Sequence, residues 1–155
     1  MTQAAVLAAR ARQLTRSEWW LLGESVVAAV VVEVGLRVTS LARIVHAIER
    51  RSVHTPVPAS RQAAERMVRL AAWPYRVLPL PSTCLRVSLV RLAVLRRRGV
   101  PAALRLGVRK TDSLLEAHAW VEYQGPLGEE PHLDLYQPLD PIPPAEVIRS
   151  ARWST

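Results

Sequence analysis

Apolar residues keep two rhythms along this chain. As far as Gly99 they recur every three or four positions, the spacing of one helix face; beyond it they alternate. The run from Trp19 to Val38 predicts a long helix that Ser17 caps, starting near Glu18 and reaching about Arg51, with Gly35 and Thr39-Ser40 as weak points where it divides. Residues 1–16 are Ala-rich and read as a peripheral helix. Pro56 and Pro58 make Val53 to Ala59 a loop. Ser60 then caps a helix from Arg61 to about Ala72, with Ala64, Met67, Val68 and Ala71 on its apolar side, and Trp73-Pro74 ends it. After an irregular, proline-rich stretch from Tyr75 to Pro81, Leu85, Leu89, Leu92 and Leu95 return to helical spacing. Ser82 and Thr83 are the candidate N-caps of that helix, and Gly99 is its C′ residue.

Leu104, Leu106 and Val108 then alternate with Arg105, Gly107 and Arg109, which predicts a strand. Lys110 to Ser113 is a turn and Leu115 to Tyr123 a second strand. Gln124-Gly-Pro-Leu-Gly128 is a hairpin connection, and Leu127 to Tyr136 a third, less regular strand. A tail with Pro138, Pro141, Pro143 and Pro144 ends in a helical stub, Ala145 to Arg152. Helices first and antiparallel strands afterwards define an α+β fold. The expectation is one domain, in which an N-terminal helical part (1–55) packs against a core spanning 60–140.

Length and charge narrow this picture only a little. At 155 residues the chain is long enough for a real core. A net charge of +8, carried almost wholly by Arg, suits nucleic acid, an anionic membrane surface or an acidic peptide, though GC-rich coding also favours Arg. One cysteine excludes an internal disulfide. Glu24 and Glu33 interrupt the first apolar run, and carboxylates near the middle of a span are costly in lipid. A buried core helix is therefore expected there rather than a membrane span or signal peptide, in a cytoplasmic protein. Trp19-Trp20 should anchor that helix in the core, with partner docking as the second reading. Arg96-Arg97-Arg98 reads as a solvated helix end that complements the dipole.

The chemistry centres on Cys84. In the first turn of a helix, free backbone N–H groups and the positive dipole end favour a thiolate, and Arg86 pushes the same way. His118, in Glu116-Ala-His-Ala-Trp-Val-Glu122, lies mid-strand between two small residues and beside Trp120, so it is placed rather than solvated. If the cysteine helix packs on this sheet, the two meet, and an ordered imidazole stabilises the thiolate as an ion pair. A third group should fix the imidazole tautomer. A hairpin centred on Pro126 sets Asp134 across from His118 on the same face. A tight turn at Gln124-Gly125 instead brings Glu130 near His118 on a diagonal, where a bulge would have to re-aim it. Asp134 and Glu130 both stay open. A lone cysteine is more often a small core residue, and a zinc site from Cys84, His118, His132 and Asp134 lacks any paired ligand spacing. No cofactor and no metal is expected. Trp120 and Tyr136 read as packing residues that could border a groove.

Cys84-Leu-Arg-Val-Ser-Leu89, Leu95-Arg-Arg-Arg-Gly-Val-Pro-Ala102, Leu106-Gly-Val-Arg109 and Ala117-His-Ala-Trp-Val-Glu122, in that order, resemble the transglutaminase-like leader peptidases of lasso peptide biosynthesis. The resemblance covers about residues 60–140. It implies a papain-like Cys-His-Asp fold in which Cys84 is the nucleophile and His118 the base. The substrate implied is a ribosomal precursor peptide, cut between leader and core. The partners implied are a small leader-binding protein and a separate lasso cyclase, not nucleic acid. The family's acid column falls near Glu130, where Glu would replace the usual Asp. Two alternatives stand beside a peptidase: an acyltransferase in which an amine resolves the same thioester, and a non-enzymatic basic adaptor.

Overall fold

The protein is described by a computed structural model covering residues 14–52, 57, 59–111, 114–128, 130, 132–139 and 152–153. Its helices are α1 (Arg16–Val38), α2 (Leu41–Arg50), α3 (Arg61–Ala71), the single turn α4 (Pro74–Val77) and α5 (Cys84–Arg97). The strands are β1 (Ala103–Thr111), β2 (Leu114–Glu122), β3 (Pro126–Leu127), β4 (Gln137–Leu139) and β5 (Arg152–Trp153), with a 3-10 turn at Leu133–Leu135. The fold is α+β, as the change of period after Gly99 predicts.

Helix α5 is the hub, because apolar residues surround most of it. Leu85, Leu89, Val90 and Val94 join Leu21, Ala29 and Val32 of α1, Ile44 of α2, and Leu106 and Ala119 of the sheet in one core cluster. Leu92 and Leu95 join Ala64 and Val68 of α3, Val100, Val121 and Leu127 in a second. Full burial of each such leucine is worth about 1.5–3 kcal/mol. The helix ends in a Schellman motif: Gly99 adopts φ 78°, its N–H reaches the Arg96 carbonyl, and the Val100 N–H reaches that of Leu95, each at 3.0 Å.

The long N-terminal helix divides at Thr39-Ser40, one of its two weak points. Gly35 does not break α1; a Cβ there would lie 3.3 Å from Ile44 Cδ1, so its bareness lets α2 fold back closely. The cap is Thr15 rather than Ser17. Its Oγ1 accepts from the Glu18 N–H at 3.3 Å while the Glu18 carboxylate accepts from the Thr15 N–H at 2.8 Å, a full capping box. Glu18 also accepts from Arg66 of α3, and that bond holds its carboxyl down to about 2.

Two expectations about α1 need correction. It is buried along one face only, and Trp19 and Trp20 stand outside the core, 52% and 77% exposed. Successive helical residues are 100° apart, so with Leu21, Leu22, Ser25, Ala29 and Val32 turned inward the tryptophans must turn away. The two carboxylates that interrupt the apolar run are tied to α5: Glu33 to Arg86 at 2.8 Å, and Glu24 to Arg97 and Arg98 at 3.1 and 3.0 Å. The Arg96–Arg98 run is thus more than a solvated helix end, since Arg96 also approaches Glu49 of α2 at 3.8 Å. Among the described residues no helix is long and apolar enough to cross a membrane.

The sheet runs β3-β2-β1-β4 with antiparallel pairing, and β5 lies parallel to β2 beside Glu116 and Ala117. The hairpin register differs from both expected ones: Val121 pairs with Leu127 and Glu122 with Pro126, around a turn with Gln124 at φ 54° and Gly125 at φ 102°. The expected third strand is only two residues long. Left-handed His132 (φ 60°) and the 3-10 turn then lead the chain across to the other edge of the sheet, where β4 pairs with β1. Helix Arg61–Ala71 is followed by the turn α4 instead of plain coil. Arg152, expected in a helical stub, lies in β5. The rest of that stub, residues 1–13 of the peripheral helix expected at 1–16, most of the 53–59 loop and residues 112–113 of the expected Lys110–Ser113 turn fall outside the described residues.

Candidate active site

Cys84 is the first residue of α5, preceded by Thr83 as N-cap. Thr83 makes no side-chain cap bond, so the positive end of the helix is not shielded by its hydroxyl. From Cys84 one stripe of the helix runs through Ser88 and Arg91, at i+4 and i+7, and meets the edge of β2. The Cys84 sulfur lies 4.0 Å from the Ala117 carbonyl oxygen, and the buried Ser88 hydroxyl donates to the Ala119 carbonyl at 2.9 Å. Carbonyls of alternate strand residues leave the same side, and one helical turn of 5.4 Å nearly matches two strand residues. Helix and strand edge are therefore fastened on either side of His118.

His118 is hydrogen-bonded to Cys84. Its Nε2 lies 2.8 Å from Glu130 Oε2, which leaves Nδ1 as the nitrogen facing the thiol. The other carboxylate oxygen of Glu130 takes Arg91 Nη1 at 2.8 Å, and both side chains are largely buried. The result is one connected line, Cys84–His118–Glu130–Arg91, that begins and ends on α5. Burial alone would lower the His118 pKa. The bonds to Cys84 and Glu130, with the charge of both, outweigh it and raise the imidazole to about 9. At neutral pH His118 is an imidazolium held between sulfur and carboxylate.

The sheet explains why position 130 is the one that arrives. Continuing the register from Val121–Leu127 and Glu122–Pro126 sets residue 130 across from residue 118. Asp134, the other candidate, sits exposed on the 3-10 turn, one step after the chain has left β2 for β4. His132 is exposed on the same turn. Arg86 is committed elsewhere: Glu33 compensates its charge at 2.8 Å and its Nη1 donates to Thr83 Oγ1 at 3.3 Å, so its push on the thiol is offset.

An aromatic wall orients the imidazole. Trp120 stacks at 6.1 Å between centroids and Tyr136 leans in at 5.2 Å, and both are buried. Arg109 lies over the Tyr136 ring at 5.0 Å and bonds Glu116 at 2.6 Å. Burial raises the Tyr136 phenol despite Arg109, with Glu116 and Cys84 adding to the rise, so its hydroxyl stays protonated near the sulfur. Gly107 underlies this wall; a Cβ there would come within 2.9 Å of Tyr136 Cβ and 3.0 Å of the Trp120 ring. The sequence pattern assigned no site role to Ser88, Arg91 or Gly107. The signal for the first two was present in the helical phase: polar residues at i+4 and i+7 from Cys84, on the same stripe of the helix.

Comparison with known families agrees with the α+β fold. The family model described as transglutaminase-like superfamily matches residues 26–141. No curated protein and no solved structure matches the chain. Members of that superfamily are typically cysteine-dependent enzymes of papain-like kind, and the match takes in Cys84, His118 and Glu130 together with most of α1.

Proposed function

The chain belongs to the transglutaminase-like superfamily, and we propose that within it the protein is a cysteine peptidase that removes the leader from a ribosomally made precursor peptide in lasso peptide biosynthesis. The observation that carries the reading is the line Cys84–His118–Glu130, which has the order and the electrostatics of a thiol protease triad. The lasso assignment is supported by the four sequence stretches around Cys84, Gly99, Gly107 and His118. A leader-binding partner protein and a cyclase belong to the same reading, as does a cytoplasmic location.

The mechanism follows from the charges. The Cys84 thiolate attacks the carbonyl carbon at the end of the leader, forming a C–S bond and an oxyanion. The oxyanion develops near the start of α5, where the Cys84 backbone N–H and the helix dipole favour negative charge. His118 gives its Nδ1 proton to the departing amine of the core peptide as the C–N bond breaks. The imidazole then takes a proton from water, whose oxygen displaces sulfur from the thioester and releases the leader acid. Glu130 keeps Nε2 protonated throughout, so Nδ1 is the nitrogen that exchanges the proton. Arg91 and the aromatic wall hold that geometry.

The test is cleavage of the precursor peptide, with its leader-binding partner present, followed by mass spectrometry. Cys84→Ala should abolish the leader and core fragments while the circular dichroism spectrum stays the same. Cleavage that survives the substitution removes the reading.

A further inference from the structure

Among the described residues, one face of α1 is left without a neighbour. Trp20, Val27, Val30, Val31, Val34 and Val38 all turn outward and are at least half exposed. Positions 20, 27 and 34, with 31 and 38 beside them, keep the seven-residue spacing of a helix seam. At 1.5 Å per residue the seam is about 27 Å long. Alongside it, between α1 and α2, runs a groove of about 920 Å³ lined by Trp19, Trp20, Val27 and Val31, with Ala93 and Val94 of α5 also in its lining.

The charge around the groove is one-sided. The carboxylates beside it are engaged within the chain, Glu24 by Arg97 and Arg98 and Glu49 by Arg96. Arg43 and Arg51 line the same groove and, among the described residues, make no ion pair. An occupant should therefore bring apolar side chains at helical spacing and negative charge at its flanks. We propose that this groove receives an amphipathic helix of a partner protein, apolar along one face and edged with carboxylates.

Other occupants fit less well. A second copy of the chain would set Arg43 and Arg51 against their own kind, since Glu18, Glu24 and Glu33 of α1 are all paired inward. A bilayer is flat, whereas this surface is concave and has a floor. A compact small molecule would leave Val30, Val34 and Val38 bare, because they extend the apolar surface past the groove. The lining residues Ala93, Val94 and Arg97 lie towards the far end of α5 from Cys84, roughly 13–20 Å along the helix. A partner docked there holds the substrate's distal end without covering the thiol. The partner's role rests on the peptidase reading, but the docking contact does not.

The experiment uses the full chain and two synthetic helical peptides with the same leucine stripe, one flanked by Glu and one by Lys. Binding is followed by the blue shift of tryptophan emission. The Glu peptide should bind saturably and about tenfold or more tighter than the Lys peptide, and weaken in about 1 M salt, where the screening length is about 3 Å. Val31→Glu and Trp20→Ser should each weaken it about tenfold or more, while the melting temperature and the rate of Cys84 alkylation stay unchanged. Equal binding of both peptides, or no binding, overturns the proposal. So does a shift seen only with vesicles of phosphatidylcholine and phosphatidylglycerol, or a Val31-dependent dimer in sedimentation. Loss of precursor cleavage in Cys84→Ala with no peptide binding would sink this proposal alone. Peptide binding with cleavage surviving in Cys84→Ala would sink only the peptidase.

Discussion

Replacing Glu130 with Gln keeps the shape of the side chain and removes its charge. In the wild-type protein His118 stands at about 9, against an ordinary 6.5, despite burial that pulls the other way. That rise of about 2.5 units corresponds to ~3 kcal/mol in favour of the imidazolium, at 1.36 kcal/mol per unit. Cys84 and Glu130 share it, each through a hydrogen bond and a charge. If Glu130 supplies even half, its neutralisation lowers the His118 midpoint by about one unit or more, ~1.4 kcal/mol. The sign for stability follows. A raised imidazole stabilises the fold fully below about pH 6.5 and loses that contribution as pH climbs through about 9; in the variant the decline should begin at the same pH, be smaller and end sooner. Imidazole carbon-proton NMR of labelled protein reads the midpoint directly. Iodoacetamide labelling reads its consequence, because a less stable imidazolium leaves less thiolate at acidic pH and moves the labelling midpoint upward. A Glu130→Gln variant whose His118 midpoint stays within about 0.3 units of wild type refutes the claim that Glu130 sets the charge state. A thermal melt run alongside accounts for Arg91, whose buried guanidinium keeps only a carbonyl for company; outright loss of a buried partner costs about 3–5 kcal/mol.

Asp134→Asn should leave both titrations and the melting temperature alone, within about 0.5 kcal/mol, because that side chain is exposed on the 3-10 turn; a shifted His118 midpoint would show that Asp134 acts on the imidazole. Ser88→Ala removes the donor to the Ala119 carbonyl and should cost about 1–3 kcal/mol in chemical denaturation, with slower Cys84 labelling as the helix start loosens from β2. Labelling at the wild-type rate would mean the fastening does not matter to the thiol. Gly107→Ala forces a methyl against Tyr136 and Trp120 and should lose about 1–3 kcal/mol and disturb the near-ultraviolet signal of the aromatic wall. A stable Gly107→Ala variant with an unchanged spectrum would show that the wall yields.

Local physics was legible in the order of residues. The switch from a three-to-four-residue rhythm to alternation gave the α+β class. Ser60, Thr39-Ser40 and Gly99 marked boundaries because capping and left-handed conformations depend on one or two side chains each. Cys84 at a helix start and His118 between alanines were visible for the same reason. That Glu130 is the carboxylate meeting His118 was not, since a one-residue change of register exchanges which residue faces His118. That register depends on the three-residue turn and on Leu127 entering the second core cluster, a contact with α3 and α5 that no local pattern encodes. Arg91 and Ser88 likewise matter only once α5 is laid against β2. The outward turn of Trp19 and Trp20 was decided by which stripe of α1 met α5. Short-range rules fixed where elements begin and end, but which faces meet is set by long-range packing, and there the site was assembled.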